Sequence, residues 1–188
     1  NYIIYIGTIQ PRKNLLRLIE AFLKIDNLKL VVVGKTSGEG KEGWMYKGIL
    51  ELPYKLGISN KINFTGYVEN EELAYLLNGA KAFILPSLWE GFGIPVVEAM
   101  ASGVPVIVSN VSSLPEIVGD AGLLVNPKSV DQIEQAIRTI STDRKLHEKL
   151  SKKGLERSKR YSWKKMAKEV LKVLENVKRY NPIIYTKS

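Results

Sequence analysis

Pro86-Ser87-Leu88-Trp89-Glu90-Gly91-Phe92-Gly93-Ile94-Pro95-Val96-Val97-Glu98-Ala99-Met100-Ala101-Ser102-Gly103-Val104-Pro105-Val106-Ile107 is the most informative stretch of the chain. It begins where the apolar run Ala82 to Leu85 ends, passes through a glycine-rich turn, becomes helical over Val96 to Ala101 and returns to β-branched residues at Val104 to Val108. Strand, turn, helix and strand in that order are one βαβ unit of a parallel sheet. Pro95 suits the first helical position, which makes Ile94 the expected N-cap, and an Ile side chain accepts nothing from the free N–H groups of the first turn. Those donors and the helix dipole favour an outside anion such as a diphosphate, and Gly91 and Gly93 allow close approach to the backbone. Glu90 in the turn and Glu98 one turn into the helix are expected on the rim of the same crevice, where carboxylates can accept hydrogen bonds from sugar hydroxyls.

Working outward, the same alternation fills the chain. Strands are expected at Tyr2 to Ile6, Leu28 to Val33, Ile62 to Phe64, Ala82 to Leu85, Val104 to Val108 and Leu123 to Val125. Helices are expected at Leu15 to Ile25, about Trp44 to Leu56, Glu71 to Leu77, Val96 to Ala101 and Val130 to Ile140, with Asn14 capping the first and Gly103 at the C′ position of the fourth. The fold class is therefore α/β, a doubly wound parallel sheet of Rossmann type, with a core over 1–142, helices over 143–180 broken near Tyr161 and Ser162, and a tail at 181–188. Asn1 is not Met and a buried-strand pattern starts at Tyr2, which reads as a piece of a longer protein. In such sheets ligands bind beyond the carboxyl ends of the strands.

The 188 residues are 45% hydrophobic and 25% charged, as expected of one globular domain. The absence of Cys excludes a disulfide framework, a Cys-ligated zinc site and a Cys nucleophile, and the single His147 argues against His-cluster metal sites and a Ser/His/Asp triad. No apolar run reaches the roughly 20 residues that span a bilayer, and the N-terminus lacks the order of a signal peptide, so the expected location is cytoplasmic. The net charge of +9 is uneven: residues 1–137 carry −2 and residues 138–188 carry +11. The basic side chains, among them Lys145, Lys149, Lys152, Lys164, Lys168 and Lys172, lie on helical sequence punctuated by Leu, Val and Met. They read first as a solvated helix face and second as a patch for peripheral contact with an anionic membrane or a partner.

Two motifs mislead. Gly34-Lys35-Thr36-Ser37 resembles the end of a P-loop, but Lys29 stands where that motif needs its first glycine. Residues 38–43 match G-x-G-x-x-G by letter, yet they begin several residues after the strand and carry acidic side chains where pyrophosphate would lie, so a surface loop is expected. Asn63-Phe64-Thr65 and Asn110-Val111-Ser112 match a glycosylation acceptor only by chance, since they fall in or beside strands of a chain read as cytoplasmic.

Cations come from another strand end, Gly7-Thr8-Ile9-Gln10-Pro11-Arg12-Lys13-Asn14, where Gly7 permits a tight turn. Arg12 offers a planar fork and Lys13 a point charge, together suited to a pyrophosphate.

These residues carry a resemblance. The run from Glu90 to Glu98, two Glu separated by seven residues inside E-G-F-G-I-P-x-x-E-A-M-A-x-G-x-P-V-I, resembles the signature of retaining GT-B glycosyltransferases of family 4, the glycosyl transferases group 1. The G-T-x-x-P-R-K-N opening, the L-I-E-A-F pattern ending at Phe22 and Phe64-Thr65-Gly66-Tyr67-Val68 resemble further parts of that family's C-terminal domain, over about residues 2 to 175. The resemblance implies that Arg12 and Lys13, with Gly7 and Thr8 beside them, hold the donor diphosphate and stabilise its developing charge. It further implies that Gly66, Tyr67 and Val68 lie near the base, that Glu90 faces the donor sugar, that Gly91, Phe92, Gly93 and Ile94 meet sugar and phosphate through their backbone, and that Glu98 binds ribose hydroxyls. Thr8 departs from the pattern, since many members have an Arg there.

The activity so implied is transfer of a hexose of mannose or glucose type from a UDP-, GDP- or ADP-linked donor to an acceptor sugar or lipid-linked glycan in polysaccharide synthesis, with retention. No cofactor is expected: the chain has no Asp-x-Asp to bridge a metal to the diphosphate. Acceptor contacts would come from an N-terminal domain outside this chain, so the chain alone is expected to bind donor and transfer slowly or not at all, and the helix around Trp163 to Val177 would reach that domain. Rival readings are a glycosidase-like hydrolase working through paired carboxylates, a basic nucleic-acid or membrane-binding module, and an oxidoreductase resting on the weak glycine motif. Nucleic acid is not an expected partner.

Overall fold

The computed structural model describes residues 1–35 and 41–180, with backbone alone at 41–47 and 178–180. Six strands form one parallel sheet: β1 (Tyr2–Ile6), β2 (Lys29–Val33), β3 (Ile62–Gly66), β4 (Ala82–Leu85), β5 (Val106–Ser109) and β6 (Gly122–Val125). Their order across the sheet is β3-β2-β1-β4-β5-β6, so the direction of winding reverses between β1 and β4. Apart from Ser109, the last residue of β5, the interior of the central strands is apolar because helices cover both faces: Ile3, Ile4, Tyr5, Phe83, Ile84, Leu85, Val106, Ile107 and Val108 are all inaccessible to solvent. The edge strands β3 and β6 are only half-buried over most of their length.

The helices are α1 (Leu15–Ala21), α2 (Lys41–Lys55), α3 (Asn70–Asn78), α4 (Ile94–Ala101), α5 (Leu114–Val118), α6 (Val130–Thr142), α7 (Arg144–Ser158) and α8 (Trp163–Tyr180). In the sheet-containing unit, Asn1–Ser158, α1 packs on α2 and α6, and α7 packs on α4 and α6. The second unit, Lys159–Ser188, contains α8, on which Trp163, Met166, Val170, Leu174 and Val177 recur every three or four residues. Among the described residues no helix is long and apolar enough to cross a membrane.

Several boundaries differ from expectation for physical reasons. The first helix is α-helical only to Ala21 and tightens to a 3-10 turn over Phe22–Lys24 before Ile25 becomes extended. β5 starts at Val106 instead of Val104 because α4 ends in a Schellman motif: Gly103 at φ 71° donates to the Met100 carbonyl and Val104 donates to that of Ala99, both at 3.0 Å. Pro105 then has no N–H to give the ladder. Residues 41–43, expected in a loop, form the first turn of α2, whereas Thr36, Ser37 and residues 38–40 of the two misleading motifs, like the tail 181–188, lie outside the described residues. The five-residue α5 has no counterpart among the expected helices.

Candidate functional site

The segments after β1 and β4 meet where the strand order reverses. After β1 the chain makes a 3-10 turn over Pro11–Lys13, and the Arg12 carbonyl accepts a 2.7 Å hydrogen bond from the Leu88 N–H of the β4 loop. Asn14 locks the junction. It occupies the N-cap position of α1 in a left-handed conformation, φ 60°, but its side chain does not cap the helix. Its buried amide instead donates to the carbonyls of Pro86 at 2.8 Å and Pro127 at 2.6 Å, and its Oδ1 accepts from Arg17 at 2.9 Å. The expected cap is thus corrected: two buried carbonyls just past the ends of β4 and β6 have a stronger claim on the amide than α1, because leaving them unpaired would cost more than an exposed helix terminus.

This junction brings Arg12, Lys13 and Glu90 together. Lys13 Nζ is 2.5 Å from Glu90 Oε1 and Arg12 Nη1 is 3.4 Å from Oε2. Ser87 Oγ donates to Glu90 Oε1 at 2.7 Å, and Ser109 Oγ in turn donates to the Ser87 carbonyl at 2.5 Å. Arg12 also donates through Nη1 to the Trp89 carbonyl at 3.4 Å and through Nε to Gln10 at 3.1 Å. The Glu90 and Lys13 side chains are 7% and 10% exposed, whereas that of Arg12 is 42% exposed. Glu90 therefore does not lie on the rim as expected. Two cations and a hydroxyl draw its carboxylate beneath the surface, a burial that a lone carboxylate could not sustain. Tyr5, inaccessible under the same cluster, donates to the Thr8 carbonyl at 3.4 Å. Burial, and secondarily the Glu90 charge, push its phenol well above the ordinary range, against a smaller opposing effect of Arg12.

Glycines form the rest of the edge. Gly7 donates to the Val33 carbonyl and Gly34 to that of Gly66, each at 2.9 Å, so Gly7, Gly34 and Gly66 line up across the ends of β1, β2 and β3. A Cβ on Gly34 would stand 2.1 Å from the Gly7 carbonyl oxygen, so only glycine fits there. Gly66 has φ 77°, and beyond it Tyr67 is exposed with its hydroxyl 3.4 Å from Glu69, while Val68 is half-buried. Thr8 is exposed.

On the other side, Gly91, Phe92, Gly93 and Ile94 lead into α4. The N-cap is Gly93, not Ile94, and Pro95 is second in the helix. The reason is conformational: the cap has φ 88°, a left-handed backbone that glycine adopts and a β-branched residue resists. A glycine cap offers the first turn no side-chain acceptor, Pro95 has no N–H, and the Val96 N–H is taken by the Gly93 carbonyl at 2.9 Å. The Ile94 amide is left as the orphan donor of the first turn. Glu98, one turn further on, is exposed. Gly91, Phe92 and Ile94 are exposed and Gly93 is buried.

Serines were not anticipated. The Glu90 N–H donates to Ser112 Oγ and the Glu90 carbonyl accepts from Ser113 Oγ, each at 3.2 Å, across the gap between the β4 and β5 ends. Ser87, Ser109, Ser112 and Ser113 left no local signal in the chain. Gly34 did leave one, as the second of three glycines that each close a strand. Among the described residues no group of three His, Asp or Glu is placed to hold a metal ion.

A model of the family described as "Glycosyl transferases group 1" matches residues 1–157. The chain is similar to the O-antigen chain mannosyltransferase B of Escherichia coli, at 38% identity over 162 residues that cover 86% of this chain and 42% of that protein. Its structure is similar to that of sucrose-phosphate synthase from Thermosynechococcus elongatus, with a TM-score of 0.87 and 28% identity over 94% of this chain and 45% of that one. It is also similar to the C-terminal domain of a glycosyl transferase group 1 protein from Francisella tularensis, with a TM-score of 0.72 and 29% identity over 83% of each chain. The chain spans less than half the length of the curated relatives it matches.

Proposed function

The chain belongs to the glycosyl transferases group 1 family, and from that premise we propose that it is the donor-binding domain of a retaining hexosyltransferase. The donor is a nucleoside-diphosphate sugar, the transferred hexose is of mannose or glucose type, and the acceptor is a glycan hydroxyl presented by a segment outside this chain. The observation that carries the reading is the meeting of Arg12, Lys13 and Glu90 at the reversal of strand order, the place where doubly wound sheets bind ligands. The mannosyl alternative is favoured by the E. coli relative's activity.

The chemistry follows from charge. As the sugar leaves, negative charge grows on the diphosphate, and the cations of Arg12 and Lys13, with the orphan amide of α4, are aimed to meet it in the transition state. The Glu90 carboxylate is paired with both cations and offsets one of their two charges, so the arriving diphosphate competes with Glu90 for them. No resident metal enters this reading. Glu98 takes ribose hydroxyls, and the glycines closing β1 to β3 let the base and diphosphate lie close to the backbone. The apolar residues repeating along α8 support its contact with the partner domain, and the +11 charge of residues 138–188 supports a cytoplasmic protein in peripheral contact with an anionic membrane.

Thermal unfolding of the chain with UDP, GDP, ADP, NAD and no ligand tests the reading. At about 100 times the dissociation constant, the preferred nucleoside diphosphate stabilises by about 2.7 kcal/mol. Glu98→Ala, at an exposed position, keeps the ligand-free midpoint and loses the shift. A shift with NAD alone, or an undiminished shift in Glu98→Ala, contradicts the proposal.

A further inference from the structure

We propose that Ser112 and Ser113 are positioning residues that hold the main chain of Glu90, and thereby aim its carboxylate at the donor sugar; this rests on the reading of Glu90 given above. The two hydroxyls grip both polar atoms of the Glu90 backbone, one accepting from the N–H and one donating to the carbonyl, each at 3.2 Å. Each does so at a cost to its own segment. Ser112 has φ 56°, a left-handed conformation that glycine or asparagine adopts more readily than serine. Ser113 stands at the N-cap of α5, where serine ordinarily accepts from the first turn, yet its side chain makes no capping bond.

Two successive residues thus set aside local stability, and both hydroxyls go to the same residue 22 and 23 positions away. Departures from local preference that converge on one group are the pattern of a site built for a ligand. The platform is braced from behind: the Arg157 guanidinium of α7 donates to the Glu116 and Ile117 carbonyls at the end of α5, so a helix of only five residues keeps its place. From below, Ser87 holds the Glu90 carboxylate and Ser109 holds Ser87. Backbone and side chain of Glu90 are therefore fixed by separate strand ends.

Stability and recognition move in opposite directions under this proposal, which separates it from a merely structural role. Ser112→Gly relieves the left-handed backbone and removes the hydroxyl; Ser112→Asn tolerates the same backbone and supplies an amide oxygen to the Glu90 N–H. The measurement is the ratio of affinities for UDP-glucose over UDP, and for GDP-mannose over GDP, by calorimetric titration of the chain, with melting temperatures alongside. Ser112→Gly melts at or above the wild-type temperature, while the ratio for the preferred donor falls about two- to tenfold, the effect of one lost hydrogen bond. Ser112→Asn restores the ratio. An unchanged ratio in Ser112→Gly, with the wild type still binding nucleotide, overturns the positioning role and leaves the donor-domain reading standing. A wild type that binds none of the four ligands overturns both.

Discussion

Removing the Lys13 ammonium while leaving its partner tests the core of the site. In Lys13→Met the apolar stem is kept, but the Glu90 carboxylate, 7% exposed, loses the cation that stands 2.5 Å from it. Breaking a buried ion pair from one side costs about 3–5 kcal/mol. Here Arg12 at 3.4 Å and the Ser87 hydroxyl at 2.7 Å remain, so the lower end, about 3 kcal/mol, is expected. At about 2–4 °C per kcal/mol for a chain of this size, the melting temperature falls by about 6–12 °C. Thermal unfolding followed by circular dichroism measures it, and the drop persists in 0.5 M salt because a buried pair is little screened. Lys13→Met/Glu90→Gln removes both charges, keeps an acceptor for Ser87, and recovers to within about 1 kcal/mol of wild type. A single variant that melts within about 2 °C of wild type, or a double variant as unstable as the single, would mean that Lys13 does not stabilise a buried Glu90 carboxylate.

Other consequences follow from the same edge of the sheet. The Tyr5 phenol ionises in the folded chain only well above its ordinary range, owing first to burial and then to the Glu90 charge, so its stabilising contribution is intact below about pH 10 and is lost as the pH rises toward the folded value. Wild type is expected to lose about 1.4 kcal/mol of stability per pH unit above pH 10 relative to Tyr5→Phe, measured by denaturant unfolding at stepped pH; parallel curves for the two would count against it. Gly34→Ala puts a Cβ 2.1 Å from the Gly7 carbonyl oxygen, backbone against backbone. It should cost about 3 kcal/mol or more and melt the chain well below wild type, and a neutral substitution would mean that the β1 and β2 ends are not this close.

Legibility differed sharply between fold and site. β1 and β4 begin and end where the apolar runs do, because a strand buried on both faces leaves an uninterrupted signal. Where one residue serves two structures, the pattern fails: Val104 reads as strand but spends its N–H on closing α4. α5, five residues long, is shorter than the roughly 11 residues over which a helical period becomes recognisable. At the site, residue types were legible and pairings were not. Arg12, Lys13 and Glu90 are expected in a phosphate and sugar site, yet nothing local says that residues 77 apart share one buried ion pair, or that Asn14 ties two loops instead of capping α1. The serines around Glu90 are ordinary letters whose meaning comes only from the register of β4 beside β5.

Under the proposed function the diphosphate lies between the segment after β1 and the first turn of α4. A crystal structure of the chain grown with the nucleoside diphosphate that most raises its melting temperature locates the ligand directly. Diphosphate oxygens are expected within hydrogen-bond distance of the Ile94 amide and of Arg12 or Lys13, with the ribose hydroxyls on Glu98. A diphosphate bound elsewhere on the chain, with Arg12, Lys13 and Glu90 unchanged and untouched, would contradict it.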